Sequence, residues 1–329
     1  MIVCCGEALI DMVPDGGRGD AFLARPGGCL YTASIAAARL GSRTRFLGRI
    51  GTDFLGEALV ERLRSNGVDS SLVARRNQPA TLAFVTRGPG GDARYAFYSS
   101  GAADRSLEYS DLPGSLGPEA RFLAVGSISL LQEPLASTVE ALVERERGNV
   151  LVSLDPNIRP SLIADRPRYV ERLMALASRS AIVKASSEDL EWLFPELAED
   201  ERASRLVQAG ADLVVETRGP GGALAVTRRA RARAAAFRVA VADTIGAGDT
   251  FHAALLYRLD SSGISTRAAL AALDEADLLG MLEFAQAAAA IDCTRIGAEP
   301  PALAEVEAFL DRHSEGREPR EGPAAASRG

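Results

Sequence analysis

Asp243, Thr244, Gly246, Ala247, Gly248 and Asp249 crowd one short stretch that joins a glycine turn to two carboxylates. Glycines ahead of a helix let backbone N–H groups point into open space. The helix start adds partial positive charge, so the stretch is suited to hold an anion. Asp249 is out of place in such a site unless it does chemistry there. A carboxylate repels a phosphate, yet it can take the proton from a hydroxyl that attacks one. The plainer alternative is that Asp249 is an N-cap and the glycines a simple turn.

Two elements must position this turn. Val239, Ala240 and Val241 form an apolar, β-branched run that reads as the end of a buried strand. Phe251, Leu255, Leu256 and Leu259 recur at helical spacing, with the helix starting at Asp249. The whole string DTIGAGDTF resembles the DTxGAGD signature of the PfkB (ribokinase-like) carbohydrate kinases. That resemblance implies Asp249 as catalytic base and the amides of Gly246, Ala247 and Gly248 as the anion hole.

Further motifs follow the same family's order from about Ile2 to Pro301. PGGCLYTASIAAARLG resembles GGAPANVA and implies that Gly27, Gly28 and Thr32 hold the sugar, together with Asp11 in the run Ala8 to Val13. Thr32 replaces the family's Asn, offering one hydroxyl for an amide. DPNIRPSL lies where doubly wound sheets bind ligands and resembles DPNxRPxLW. It implies Asn157 on the sugar and Arg159 on the phosphates; the plain reading is a proline-fixed loop with a salt bridge. Arg105, after the last lid strand, is a candidate substrate contact.

The nucleotide side is implied to comprise Lys184, Ser186, Thr217, Gly219, Gly222 and Gly248, with TRGPGG resembling the family's TxGxxG turn. SSED resembles the N/S-x-x-E motif that orders Mg²⁺ through water. It places Asp189 where Glu is usual, with Glu188 as the neighbour that can substitute. Acids opening a helix also suit its dipole. The family implies ATP and Mg²⁺ as cofactors, K⁺ in some members near CTRIGA, and a homodimer formed through the lid.

At 329 residues, 47% apolar and 25% charged, the chain has the composition of an ordinary soluble globular protein. Its net charge of −7 argues against nucleic-acid and anionic-membrane partners. No apolar run has membrane-spanning length, and no basic leader opens the sequence. Cys4, Cys5, Cys29 and Cys293 lack metal-ligand spacing and read as small core residues of a cytoplasmic protein. His252 and His313 are the only histidines, so histidine catalysis is all but excluded. Lys184 is the only lysine, which reads as genome composition.

The expected fold is a single three-layer α/β/α ribokinase-like domain over 1–313, with a mainly parallel central sheet. A small β lid is expected from about 9–25 and 72–100, including Leu72-Val73, with a Gly88-to-Gly91 turn. Ala234 to Val239 is expected as a strand leading to the catalytic turn, and 314–329 as a disordered tail. GEALIDMVP, DPNIRPSL, SSED and CTRIGAEPP look most like the bacterial fructokinase branch. The implied reaction is ATP-dependent phosphorylation of a small sugar, fructose first. A 2-keto-3-deoxygluconate kinase, using Arg94 and Arg105 for the acid's carboxylate, is the rival. A sugar- or nucleotide-binding protein without turnover is the alternative outside enzymes.

Overall fold

The computed structural model describes residues 1–15, 21–87 and 93–314. The expected Gly88–Gly91 turn and almost all of the tail lie outside them. The central sheet has nine strands, β1 (Ile2–Cys5), β4 (Thr44–Gly51), β5 (Val73–Arg76), β8 (Phe122–Gly126), β9 (Leu151–Asp155), β10 (Ile182–Ser186), β11 (Leu213–Thr217), β12 (Ala223–Val226) and β13 (Arg231–Ala234). They lie in the order β13-β12-β11-β10-β9-β8-β1-β4-β5. Pairing is parallel except between β11, β12 and β13, which run antiparallel. The central strands are nearly continuous apolar runs because helices cover both faces of a parallel sheet. In β1, Ile2 and Cys4 face one helical layer while Val3 and Cys5 face the other, as the two-residue strand period requires.

One layer packs α1 (Cys29–Arg39), α2 (Phe54–Ser65), α7 (Ala247–Ser261), α8 (Arg267–Ala272), α9 (Glu275–Cys293) and α10 (Leu303–Ser314). The other packs α3 (Leu135–Glu146), α4 (Arg166–Arg179), α5 (Ser187–Leu193) and α6 (Glu199–Ala209). None of the described helices is long and apolar enough to cross a membrane. A separate four-stranded sheet, β3 (Phe22–Gly27), β2 (Leu9–Pro14), β6 (Leu82–Arg87) and β7 (Ala93–Tyr98) in that order, forms the lid.

Two strand expectations need correction. Leu72-Val73 does not open a lid strand: β5 pairs in parallel with β4, Gly48 against Val73 through Gly51 against Arg76. The intervening helix α2 returns the chain to the central sheet, the ordinary outcome of a strand–helix–strand unit. Ala234 to Val239 is not a strand either. β13 ends at Ala234 because its partner β12 begins at Ala223, opposite it, and the ladder has no further neighbour. Val239 to Val241 is therefore an irregular segment, with Val241 at 62% exposure. Ala242 and Asp243 tie it down by donating to the Cys293 carbonyl at 2.8 and 3.3 Å.

Candidate active site

The helix that carries Asp249 starts two residues earlier than the sequence suggests. α7 begins at Ala247, and its N-cap is Gly246 in the left-handed region at φ 85°. A Cβ there would lie 2.6 Å from the Ala298 Cβ, so both backbone and space call for glycine. Asp249 is thus the third helical residue, and the cap has no side-chain hydrogen bond. The N-cap reading of Asp249 falls, and its carboxyl meets the Cys29 thiol instead of the helix cap. Asp243 builds the turn: Oδ1 accepts from the N–H groups of Thr244 (2.8 Å) and Ile245 (3.3 Å), and Oδ2 from Gly297 (3.0 Å).

This turn closes one end of a cleft of about 240 Å³ at the C-terminal edge of the central sheet, under the lid. Asp11, Gly28, Thr32, Asn157, Arg159, Lys184, Gly246, Gly248 and Asp249 all line it, joined by Glu7, Cys29, Tyr95, Ser127 and Thr244. Residues from strand ends far apart in sequence meet there because parallel strands present their C-terminal ends on one side.

The electrostatics are those of an acidic cleft under two cations. Burial, aided by Asp155, raises the Asp249 carboxyl to about 8; the Cys29 thiol, Lys184 and Arg159 oppose the shift. Burial raises Asp11 to about 7 against the pull of Arg159. Asp11 also crowds β3: a Cβ on Gly27 would sit 2.1 Å from its Oδ2. Gly27 therefore serves as the space for that carboxylate. The Arg159 guanidinium donates to the Asn157 side chain at 2.7 Å and lies 5.6 Å from the Tyr95 ring centre. Asn157 holds a left-handed backbone, φ 39°.

Asp155, Glu7 and His252 take part in this geometry although the sequence assigns none of them to the site. Lys184 and Asp155 form a buried ion pair at 2.9 Å. Lys184 Nζ lies 3.2 Å from where a Cβ of Gly248 would be, so its charge sits against the anion-holding turn. Burial works to lower the ammonium's pKa, but the charge and hydrogen bond of Asp155 outweigh it and the net shift is upward. The lone lysine in an arginine-rich chain was the available signal. Glu7 is also buried: its Oε1 accepts from the Cys29 N–H at 2.9 Å, which caps α1, and Oε2 takes a short hydrogen bond from Ser129. His252 is a core residue bonded to Ser153 at 2.7 Å. Burial lowers it to about 3, so it is neutral.

Several expected residues are not brought into the cleft. Arg105 turns back on Ser99, 3.4 Å from both its carbonyl and its hydroxyl oxygen. Glu188 is exposed and accepts from Ser187. Asp189 is buried, but Oδ1 accepts from the Ile158 N–H (2.7 Å) and Oδ2 from the Ser186 N–H (3.0 Å). The shorter acid closes a capping box with Ser186 and pins the Asp155–Leu162 loop. Both oxygens are thus engaged by backbone N–H groups. Ser186, Thr217, Gly219 and Gly222 stand at the ends of β10 and β11 and in the turn that follows, outside the cleft lining. Arg94 lies in β7, but its side chain is outside the described residues.

The pfkB family carbohydrate kinase model matches residues 1–305. A fructokinase of Rhizobium leguminosarum bv. trifolii is 43% identical over 277 residues, 84% of each chain. In structure, the Xylella fastidiosa fructokinase with bound ATP superposes with a TM-score of 0.87 at 31% identity, covering 95% of this chain and 98% of that one. A fructokinase of Vibrio cholerae O395, solved with fructose, ADP and a calcium ion, gives 0.81 at 28% identity, with 94% and 98% covered.

Proposed function

The chain belongs to the pfkB family of carbohydrate kinases, and on that footing we propose that it transfers the γ-phosphoryl of ATP to a hydroxyl of fructose. The observation that carries this reading is the Asp249 carboxyl, lining the cleft and raised to about 8 beside a glycine-capped helix start. A protein that only bound sugar or nucleotide would gain nothing from a carboxylate at that point.

In the proposed mechanism Asp249 accepts the proton of the attacking hydroxyl. The amides of Gly246, Ala247 and Gly248, with Lys184 behind them and Arg159 across the cleft, stabilise charge on the transferring group. Asp11, Thr32 and Asn157 orient the sugar, and the lid keeps water from the phosphate. Ser186, Thr217, Gly219 and Gly222 serve the nucleotide along the sheet edge. Mg²⁺ supplies neutralisation of the phosphates when bound, and Asp189 and Glu188 are the residues proposed to face it, Asp189 through water.

ADP release with MgATP should depend on fructose and be at least about tenfold slower on ribose, adenosine and 2-keto-3-deoxygluconate. The keto-deoxy acid carries a carboxylate, and Arg105 is turned away from the cleft. Turnover confined to that acid would move the substrate and keep the mechanism; ATP binding with no turnover on any sugar would overturn the enzyme reading.

A second copy of the chain is the partner proposed for the outer lid face. Phe22 and Tyr98 are exposed there at 38% and 66%, and Phe84 joins Phe22 to Tyr98 by edge contacts. Sedimentation should give twice the chain mass, and Phe22→Asp with Tyr98→Asp should give a monomer. A wild-type monomer at every concentration would sink the idea.

A further inference from the structure

The cleft floor holds a thiol for which phosphoryl transfer has no use. Cys29 is fixed at the start of α1 by the hydrogen bond from its N–H to Glu7. Its Sγ lies 4.0 Å from Asp155 Oδ2. That sulfur, one oxygen of Asp155 and one oxygen of Asp249 all lie within 4.8 Å of one another. A second observation points to a ligand. Asp155 is fully buried and its Oδ2 is held by Lys184, yet its Oδ1 has no hydrogen-bond partner among the described residues. Buried acceptors are normally satisfied.

We propose that Cys29, Asp155 and Asp249 form an inhibitory site for a thiophilic divalent cation of the Zn²⁺ or Cd²⁺ kind, bound through the thiolate and one oxygen of each carboxylate. The donor set selects the ion. A sulfur ligand favours Zn²⁺ and Cd²⁺ over Mg²⁺, which keeps to oxygen. Three protein ligands with the open cleft above leave a fourth position for water.

Charge selects it as well. A thiolate and two carboxylates carry three negative charges and Lys184 one positive, so a divalent ion neutralises the remainder. Binding releases the thiol proton and, below about pH 8, the Asp249 proton to solvent; nothing is oxidised or reduced. Without such an ion, burial and the neighbouring carboxylates of Asp249, Asp155 and Glu7 keep the thiol protonated, which disfavours alkylation and oxidation at the same sulfur. The bound ion occupies the oxygen that would accept the sugar's proton. That consequence rests on the role proposed for Asp249, whereas metal binding itself does not.

The test is a Cd²⁺ titration of the full chain, read by the ultraviolet thiolate-to-Cd²⁺ charge-transfer band, with parallel kinase assays at fixed free Zn²⁺. The expected result is one equivalent bound with the band present, and loss of the band in Cys29→Ala. Affinity should fall by at least about tenfold in Asp155→Asn. Circular dichroism identifies any variant that fails to fold, and Cys29→Ala alone is decisive if Asp155→Asn does. An undiminished band in Cys29→Ala would assign the metal to Cys4, Cys5 or Cys293 and overturn the site. Stoichiometric binding without loss of turnover would keep the site, overturn its inhibitory action and remove the support for Asp249 as base.

Discussion

Asp249→Asn should lower kcat by about 10²–10⁴-fold, the usual contribution of a positioned general base, while ATP still binds. Asn keeps the shape at the third position of α7 and removes only the ability to take a proton. The pH dependence carries a second signature. The base must be ionised to act, and the carboxyl of the free enzyme is raised from 3.8 to about 8. In the wild type, kcat/KM should therefore climb with pH along a limb of unit slope whose midpoint lies far above the ordinary carboxylate range. The residual activity of the variant should lack that limb.

Stability moves the opposite way. A carboxyl raised on folding binds its proton more tightly in the native state. Unfolding free energy then falls as pH rises through the window from 3.8 to about 8. Asn carries no such penalty, so Asp249→Asn should melt higher than the wild type, and the gap should widen from pH 5 to pH 8. An equal melting temperature across that range would mean the carboxyl is not raised on folding.

What the sequence disclosed about this site was local. Gly246, Gly248 and Asp249 fall within one turn, where spacing alone sets geometry, and the β1–β8–β9–β10 alternation was readable from apolar runs. Contacts that depend on the tertiary fold were not readable. Glu7 meets Ser129 across 122 residues, and Cys29 reaches Asp155 across 126. A cysteine beside apolar neighbours reads as core until the fold shows two carboxylates next to it. Leu72-Val73 misled for a related reason. Short strands such as β5 have the same composition whether they join the lid or the sheet edge, and the crossover through α2 decides. Val239 to Val241 failed because β propensity reports a half-buried surface to pack on, and beyond Ala234 there is none.

Lys184→Met should destabilise the protein by about 3–5 kcal/mol, because it leaves a buried carboxylate without its cation. Lys184 is 5% exposed and Asp155 fully buried, and one Asp155 oxygen already lacks a partner. In thermal terms the loss is on the order of 10 °C. Replacing both partners, Lys184→Met with Asp155→Asn, should recover most of the stability, because the desolvated charge is then gone. Activity should not recover with it. The ammonium lies against Gly248, and the charge it brings to the anion turn is absent in both variants. The double variant thus separates two roles of one side chain. Restored melting with kcat still about 10²–10³-fold low would assign Lys184 to transition-state charge. Restored melting together with restored kcat would make the pair a structural brace and leave the anion turn to its amides alone.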